Sequence, residues 1–215
     1  MDEETYLREQ ILEVGKRLQQ RFFVASNDGN ISIKLKDNII LITPTGVNKG
    51  EIRADEIMKV DLNGDIIEGH MKVTSEIKMH LIIYKMRKDV KAIVHAHPPA
   101  ATAFAASGER LDKPVILPEA VFSLGNIGYC AYGTPSTEEV PQSVEREISN
   151  SDVLLLANHG ALTVGRTAME AYYKMENLEM VSKITLYTKI IGKVRNLSDN
   201  QIEKLNRVKR MGKTK

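Results

Sequence analysis

The ten residues Val90–Pro99 read VKAIVHAHPP and carry two of the chain's five histidines. Their apolar, β-branched run reads as a buried strand. Pro98 and Pro99 cannot extend a ladder, and proline suits the first turn of a helix. Side chains two apart on a strand share a face, so His95 and His97 project together with Ala96 turned away. Two imidazoles held in this way can begin a transition-metal site. They can equally be a surface pair at a strand end.

Outward from this stretch, helix and strand signals alternate, which points to a layered α/β or α+β domain. Leu7, Ile11, Val14 and Leu18 mark one face of a first helix. Turn residues in SNDGNISIK (26–34) precede a strand at Ile31 and Ile33. NIILITPTG (38–46) is a second strand ending in a turn, and Asn63-Gly64 predicts a hairpin. TSEIKMHLIIYKMR (74–87) reads as a helix capped by Thr74 or Ser75. STEE (136–139) has the capping-box pattern, with Pro141 delaying or kinking the helix that follows. DVLLLANHG (152–160) is another buried strand. A long helix is expected from about Thr167 to Ile191, with Gly192 as its C-cap. Ser198 and Gln201 suggest a final short helix.

The 215 residues include 42% hydrophobic types, enough for one sizeable core. Lys and Arg number 30 against 28 Asp and Glu, a net charge of +2, so there is no broad single-sign field for nucleic acid or a membrane surface. The basic end NRVKRMGKTK reads as a solvated or frayed tail. Cys130 is the one cysteine, which excludes an internal disulfide. The acidic, amphipathic start is unlike a signal peptide, and the expected location is cytoplasmic.

His159 also ends an apolar strand, and Gly160 is expected to let the backbone turn sharply beside it. Glu76 is the fourth candidate ligand. His80 lies one helical turn later and can be a ligand, but its apolar neighbours favour a packed, hydrogen-bonded histidine. His70 reads as a surface residue. Three neutral imidazoles leave a cation's charge uncancelled, which suits a Lewis acid; a carboxylate beside it can act as a base. Three turns supply possible anion donors: Gly29 and Asn30, Thr45 and Gly46, Thr74 and Ser75. The last pair sits at a helix N-terminus. A phosphate at Ser75 would lie within about one residue's reach of Glu76.

Taken in order, DGNISIK, ITPTGV, TSEIKMH, VHAHPPAATAFA, CAYGTPSTEE and LLANHGALTVG resemble the class II aldolase/adducin family. Within it the chain is most similar to the branch acting on L-fuculose 1-phosphate and like ketose 1-phosphates. The resemblance runs from about residue 5 to about residue 190, placing a family domain at 1–195 and a basic C-terminal tail at 196–215. It implies a three-layer α/β/α domain around a largely antiparallel central sheet, assembled as a homotetramer with intersubunit active sites. It implies His95, His97, His159 and Glu76 as ligands of a divalent metal, most simply Zn2+, with Co2+, Mn2+ or Fe2+ also accommodated. Glu76 would also shuttle the proton. Gly29, Asn30, Thr45, Gly46, Thr74 and Ser75 match phosphate-binding positions. The implied reaction is reversible cleavage of a phosphorylated ketose to dihydroxyacetone phosphate and an aldehyde.

The chain departs from the pattern in two places. VILPEAV (115–121) has Glu119 where the fuculose-phosphate branch places a tyrosine, and no tyrosine follows Tyr187. Glu119 is then either a second acid/base, supplied to a neighbouring subunit, or an acid favoured at a helix start. Tyr129 and Tyr132 are nearby alternatives, more suited to packing. Competing activities within the family are dehydration of 5-methylthioribulose 1-phosphate and 4-epimerisation of ribulose 5-phosphate. A non-catalytic, adducin-like interaction module is a further alternative.

Overall fold

The computed structural model describes residues 2–111 and 115–212. Eight strands form one sheet: β1 (Asn30–Lys34), β2 (Ile40–Ile42), β3 (Met58–Val60), β4 (Ile66–Glu68), β5 (Ala92–Ala96), β6 (Ile127–Cys130), β7 (Val153–Leu156) and β8 (Gly160–Gly165). Their order is β4-β3-β2-β1-β5-β8-β7-β6, and every pair is antiparallel except β6 with β7. The helices are α1 (Glu3–Gln20), α2 (Ile77–Met86), α3 (Pro99–Ser107), α4 (Glu139–Glu147), α5 (Ala168–Ile191) and α6 (Asp199–Gly212).

Two buried clusters show why three layers form. Residues of α1, α3 and α5 pack with Ile31, Ile33, Val94, Ala96 and Leu155 on one face of the sheet. Residues of α2 and α4 pack with Ile40, Ile42, Ile93, Leu154 and Leu156 on the other. Covered on both faces, the central strands need apolar side chains at successive positions, which explains their unbroken hydrophobic runs. Each fully buried aliphatic side chain contributes about 1.5–3 kcal/mol relative to exposure, so these clusters outweigh local helix propensity. Among the described residues no helix is long and apolar enough to cross a membrane.

Three local readings are corrected. Helix α2 starts at Ile77 with Glu76 at its N-cap position and no side-chain cap bond, rather than being capped by Thr74 or Ser75. The Thr74 hydroxyl accepts from the Glu76 amide at 3.4 Å and from Asn30 Nδ2 at 3.3 Å. The capping box at STEE does not form: Ser136 has φ 67°, and Glu139 accepts the Thr134 amide proton at 2.8 Å. Helix α4 consequently begins at Glu139, which puts Pro141 in the first turn, where its missing N–H costs no intrahelical bond. Gly160 has no positive φ; Asn158, two residues earlier and with φ 55°, makes the turn. Asn tolerates that left-handed conformation better than most residues.

The basic end is helical through Gly212. Ser198 and Gln201 cap α6, with Ser198 N donating to Gln201 Oε1 at 2.8 Å. Lys209 Nζ donates to the Val121 carbonyl at 2.7 Å, joining α6 to a π-helical segment at Ala120–Leu124.

Gly15 fixes where α1 meets the site. A Cβ there would collide with the Lys49 carbonyl oxygen and carbon. Glycine inside a helix costs about 1 kcal/mol relative to alanine, so Gly15→Ala should stabilise α1 in isolation. In the folded chain it is expected to lower stability by about 1–3 kcal/mol, because the helix must move off backbone atoms. A urea midpoint at or above that of the parent chain would contradict this packing.

Candidate metal centre and anion-binding turns

His95 is on β5, opposite Asn30 of β1 and Leu162 of β8, so it sits in the middle of the sheet. Its Nδ1–H donates to the Ala161 carbonyl at 2.9 Å, leaving Nε2 as the free donor atom. His97 lies one residue beyond β5, and its Nε2 is 3.2 Å from His95 Nε2. His159 precedes β8 in the turn made by Asn158. Suitable ligand atoms of the three histidines all lie within 4.8 Å of one another.

Glu76 closes the cluster. Its Oε2 is 3.2 Å from His95 Nε2, and its Oε1 is 3.2 Å from His159 Nε2. Donors at about 2.0–2.1 Å from a tetrahedral zinc are separated by about 3.3–3.4 Å, so these spacings match the edges of such a polyhedron. Glu76 Oε1 and His159 Nδ1 are buried without a hydrogen bond to any described residue. Three imidazoles, one carboxylate and an uncompensated buried oxygen suit a divalent cation.

The electrostatics agree with this fit. Burial works against the Glu76 carboxylate, but His95, His159 and the Asn30 amide outweigh it and hold its pKa well below the usual carboxylate range. Burial and repulsion from His95 lower His159 to about 4 and also lower His97. Both rings are thereby neutral near pH 7, the state a metal ligand requires. Burial also opposes charge on His95, yet Glu76 raises its pKa overall.

Gly160 is steric in role. A Cβ would strike the His97 ring and approach the Ala96 carbonyl oxygen at 2.7 Å. Its absence makes the space that His97 fills. Gly29, with φ 71°, likewise passes close to the His95 carbonyl oxygen, 2.8 Å from a built Cβ. Only glycine fits both constraints there.

The Asn30 turn and the Thr74–Ser75 turn meet at Glu76. Pro44 and Val73 form an isolated antiparallel bridge, with Thr45 N donating to Lys72 O at 3.0 Å. In this register Thr45 lies opposite Lys72, so the bridge ties the strand end before Thr45 and Gly46 to the segment that leads into Thr74 and Ser75. Asn30 Nδ2 reaches both Glu76 Oε2, at 2.8 Å, and Thr74 Oγ1. The amides of Gly46 and Ser75 make no hydrogen bond within the described residues.

Two participants escaped sequence reading. Asp28 Oδ2 lies 3.6 Å from His97 Nδ1, behind the ligand face of that ring. Lys49 is 2% exposed, and its Nζ donates to Asn27 O at 2.8 Å and Val47 O at 2.6 Å. It ties the Asn27–Asn30 turn to the Thr45–Val47 turn, with burial lowering its pKa to about 8. Asp28 stands inside the quoted DGN turn, but nothing local marks its reach to His97. Lys49 looks like any surface lysine in the string.

His80 is fully buried, bonded through Nδ1 to Ser32 Oγ and through Nε2 to Asn30 Oδ1, in keeping with the packed reading. His70 is exposed. Glu119 is exposed just before the π-helical segment and makes no hydrogen bond or ion pair with Glu76 or the three histidines. Tyr129 stacks under Arg110 with 4.3 Å between guanidinium carbon and ring centroid, while Tyr132 is exposed.

Comparison with known proteins places this architecture. L-fuculose phosphate aldolase of Methanococcus vannielii is 40% identical over 175 residues, 81% of this chain and 93% of that protein. 5-Deoxy-D-ribulose 1-phosphate aldolase of Bacillus thuringiensis is 31% identical over 199 residues, covering 92% of each. The crystal structure of YgbL from Klebsiella pneumoniae, named for an aldolase, epimerase or decarboxylase, superposes with a TM-score of 0.89. It is 28% identical and covers 95% of this chain and all of that one. Residues 9–186 match the family described as Class II Aldolase and Adducin N-terminal domain, and the chain therefore belongs to the class II aldolase and adducin family.

Proposed function

We propose that this chain is a metal-dependent lyase that reversibly cleaves a ketose 1-phosphate to dihydroxyacetone phosphate and an aldehyde. L-fuculose 1-phosphate or a deoxypentulose 1-phosphate is the substrate class. One observation carries the reading: Glu76 is shared between the imidazole cluster and the turns that would receive a phosphate. The aldolase names of its relatives support it.

His95, His97 and His159, with Glu76, would hold the divalent cation, zinc in our reading. When bound, it supplies Lewis-acid stabilisation of negative charge developing on the ketose carbonyl oxygen. Gly29, Asn30, Thr45, Gly46, Thr74 and Ser75 form the phosphate side, where unbonded amides and the α2 N-terminus favour an anion. Asn30 holds Glu76 Oε2, which leaves Oε1 to carry a proton. As the C3–C4 bond breaks, the C4 hydroxyl would pass its proton to the Glu76 carboxylate, the C3–C4 electron pair would stay with C3, and Glu76 would return that proton to C3. Glu119 serves at the aldehyde end, from a neighbouring subunit of a homotetramer. Its exposure and the exposed stripe Tyr173, Met180, Tyr187 and Ile191 on α5 support that arrangement.

Metal-loaded protein should release dihydroxyacetone phosphate when assayed with fuculose, ribulose and deoxyribulose 1-phosphates. Loss of water, a pentulose isomer or carbon dioxide as the product would reassign the reaction, and protein without bound metal would favour an interaction module. His159→Ala should lose most bound zinc and at least about 100-fold in kcat/KM together. Full zinc occupancy in that variant, measured by elemental analysis, would remove His159 from the ligand set.

A further inference from the structure

Five polar side chains form a ladder between α2 and β1. Glu76, His80 and Tyr84 lie four residues apart on one face of the helix region. Asn30 and Ser32 lie two apart on the facing side of β1. Four helical residues rise about 6 Å and two strand residues about 6.6 Å, so the two repeats stay nearly in step. The side chains consequently alternate between elements: Tyr84, Ser32, His80, Asn30, Glu76. The contacts are 2.8 Å from Tyr84 OH to Ser32 Oγ and 2.7 Å from Ser32 Oγ to His80 Nδ1. They continue at 2.5 Å from His80 Nε2 to Asn30 Oδ1 and 2.8 Å from Asn30 Nδ2 to Glu76 Oε2.

The direction of every proton follows from one end. A carboxylate only accepts, so the Asn30 amide nitrogen faces Glu76 and its oxygen faces His80. His80 must then donate through Nε2–H. Burial lowers His80 to about 3, so the ring is neutral and its Nδ1 accepts. Ser32 donates to that nitrogen and accepts from Tyr84. Burial raises the Tyr84 pKa, which keeps the phenol a donor.

We propose that His80 is a positioning residue for the lyase reaction, fixing the Asn30 amide so that its N–H, and not its carbonyl, always meets Glu76. Ser32 and Tyr84 set the histidine tautomer behind it. A flipped Asn30 would put a carbonyl oxygen against the carboxylate and push the base out of place. The second Asn30 N–H points to Thr74 Oγ1, so the same lock sets the entrance of the phosphate side. This deepens the reading of Glu76 as the base and rests on it.

Two measurements on the full chain test the lock. In chelator-stripped, 15N-histidine-labelled protein, long-range proton–nitrogen spectra should show His80 as the neutral Nε2–H tautomer from about pH 5 to about pH 8. His80→Gln, which loses the signal, assigns it. An Nδ1–H tautomer, or protonation within that range, overturns the proposal without reference to any substrate. In the metal-loaded enzyme His80→Gln keeps an amide donor for Asn30 and should retain kcat within about threefold. His80→Leu should lose about tenfold or more in kcat, with KM and zinc stoichiometry little changed. Tyr84→Phe removes only the distal donor and should fall between the two. Equal loss in His80→Gln and His80→Leu, or unchanged kcat per bound zinc in His80→Leu, overturns the proposal in favour of simple packing. Absence of lyase activity in the parent chain would instead defeat the functional reading, and the tautomer would still decide the ladder.

Discussion

The pairing register of β5 against β1 and β8 is the constraint on which the site depends. It sets His95 opposite Asn30 on one side and Leu162 on the other, and Ala96 opposite Ala161. From that register follow the Ala161 carbonyl that orients His95, the approach of His159 at the head of β8, and the reach of Asn30 to Glu76. A slip of one residue would turn His95 into the apolar layer of α1, α3 and α5 and bring Val94 or Ala96 to the polar face. The hydrophobic cost of that exchange protects the register. The same apolar residues that make the core therefore also aim the imidazoles.

Much of this was readable from local patterns. The two-residue spacing of His95 and His97, the proline stop, and the second strand ending at His159 all rest on neighbours in sequence. The layered architecture followed from alternating helix and strand signals. The family resemblance supplied the convergence of parts far apart in the chain. What stayed hidden depends on tertiary partners. The Thr74 hydroxyl serves the Glu76 amide and the Asn30 side chain together, and the second partner comes from a distant strand. Glycine at 160 is required by the ring of His97, which no local rule reveals. The one-turn spacing of Glu76 and His80 was visible, but Tyr84 did not stand out, and the strand residues that complete the ladder become neighbours only after β1 is seated. The STEE pattern failed because Thr134 offered Glu139 a nearer amide.

The two sides of the site are held differently. The imidazoles stand at the ends of central strands, where the sheet fixes backbone position to within a hydrogen bond. The candidate anion turns have little sheet around them and are joined through the ammonium of Lys49 and the Pro44–Val73 bridge. Burying that ammonium is costly, and two carbonyl bonds offset only part of the cost, as its lowered pKa records. The polar layer between α2 and β1 carries a similar demand. Its groups are mutually satisfied, which is the condition under which a buried network rigidifies a fold instead of weakening it.

The burial of Cys130 and Lys49 bears on how such a protein tolerates its own chemistry. Aldehydes are electrophiles that combine with thiolates and with uncharged amines. The sole thiol of the chain is enclosed in the core, and its pKa is pushed up to about 12, so it offers almost no thiolate. Lys49, whose lowered pKa would otherwise make it a ready nucleophile, has its nitrogen turned inward onto two carbonyls. An electrophile reaching the surface thus finds neither group open to capture, and the folded chain is protected from slow modification at both.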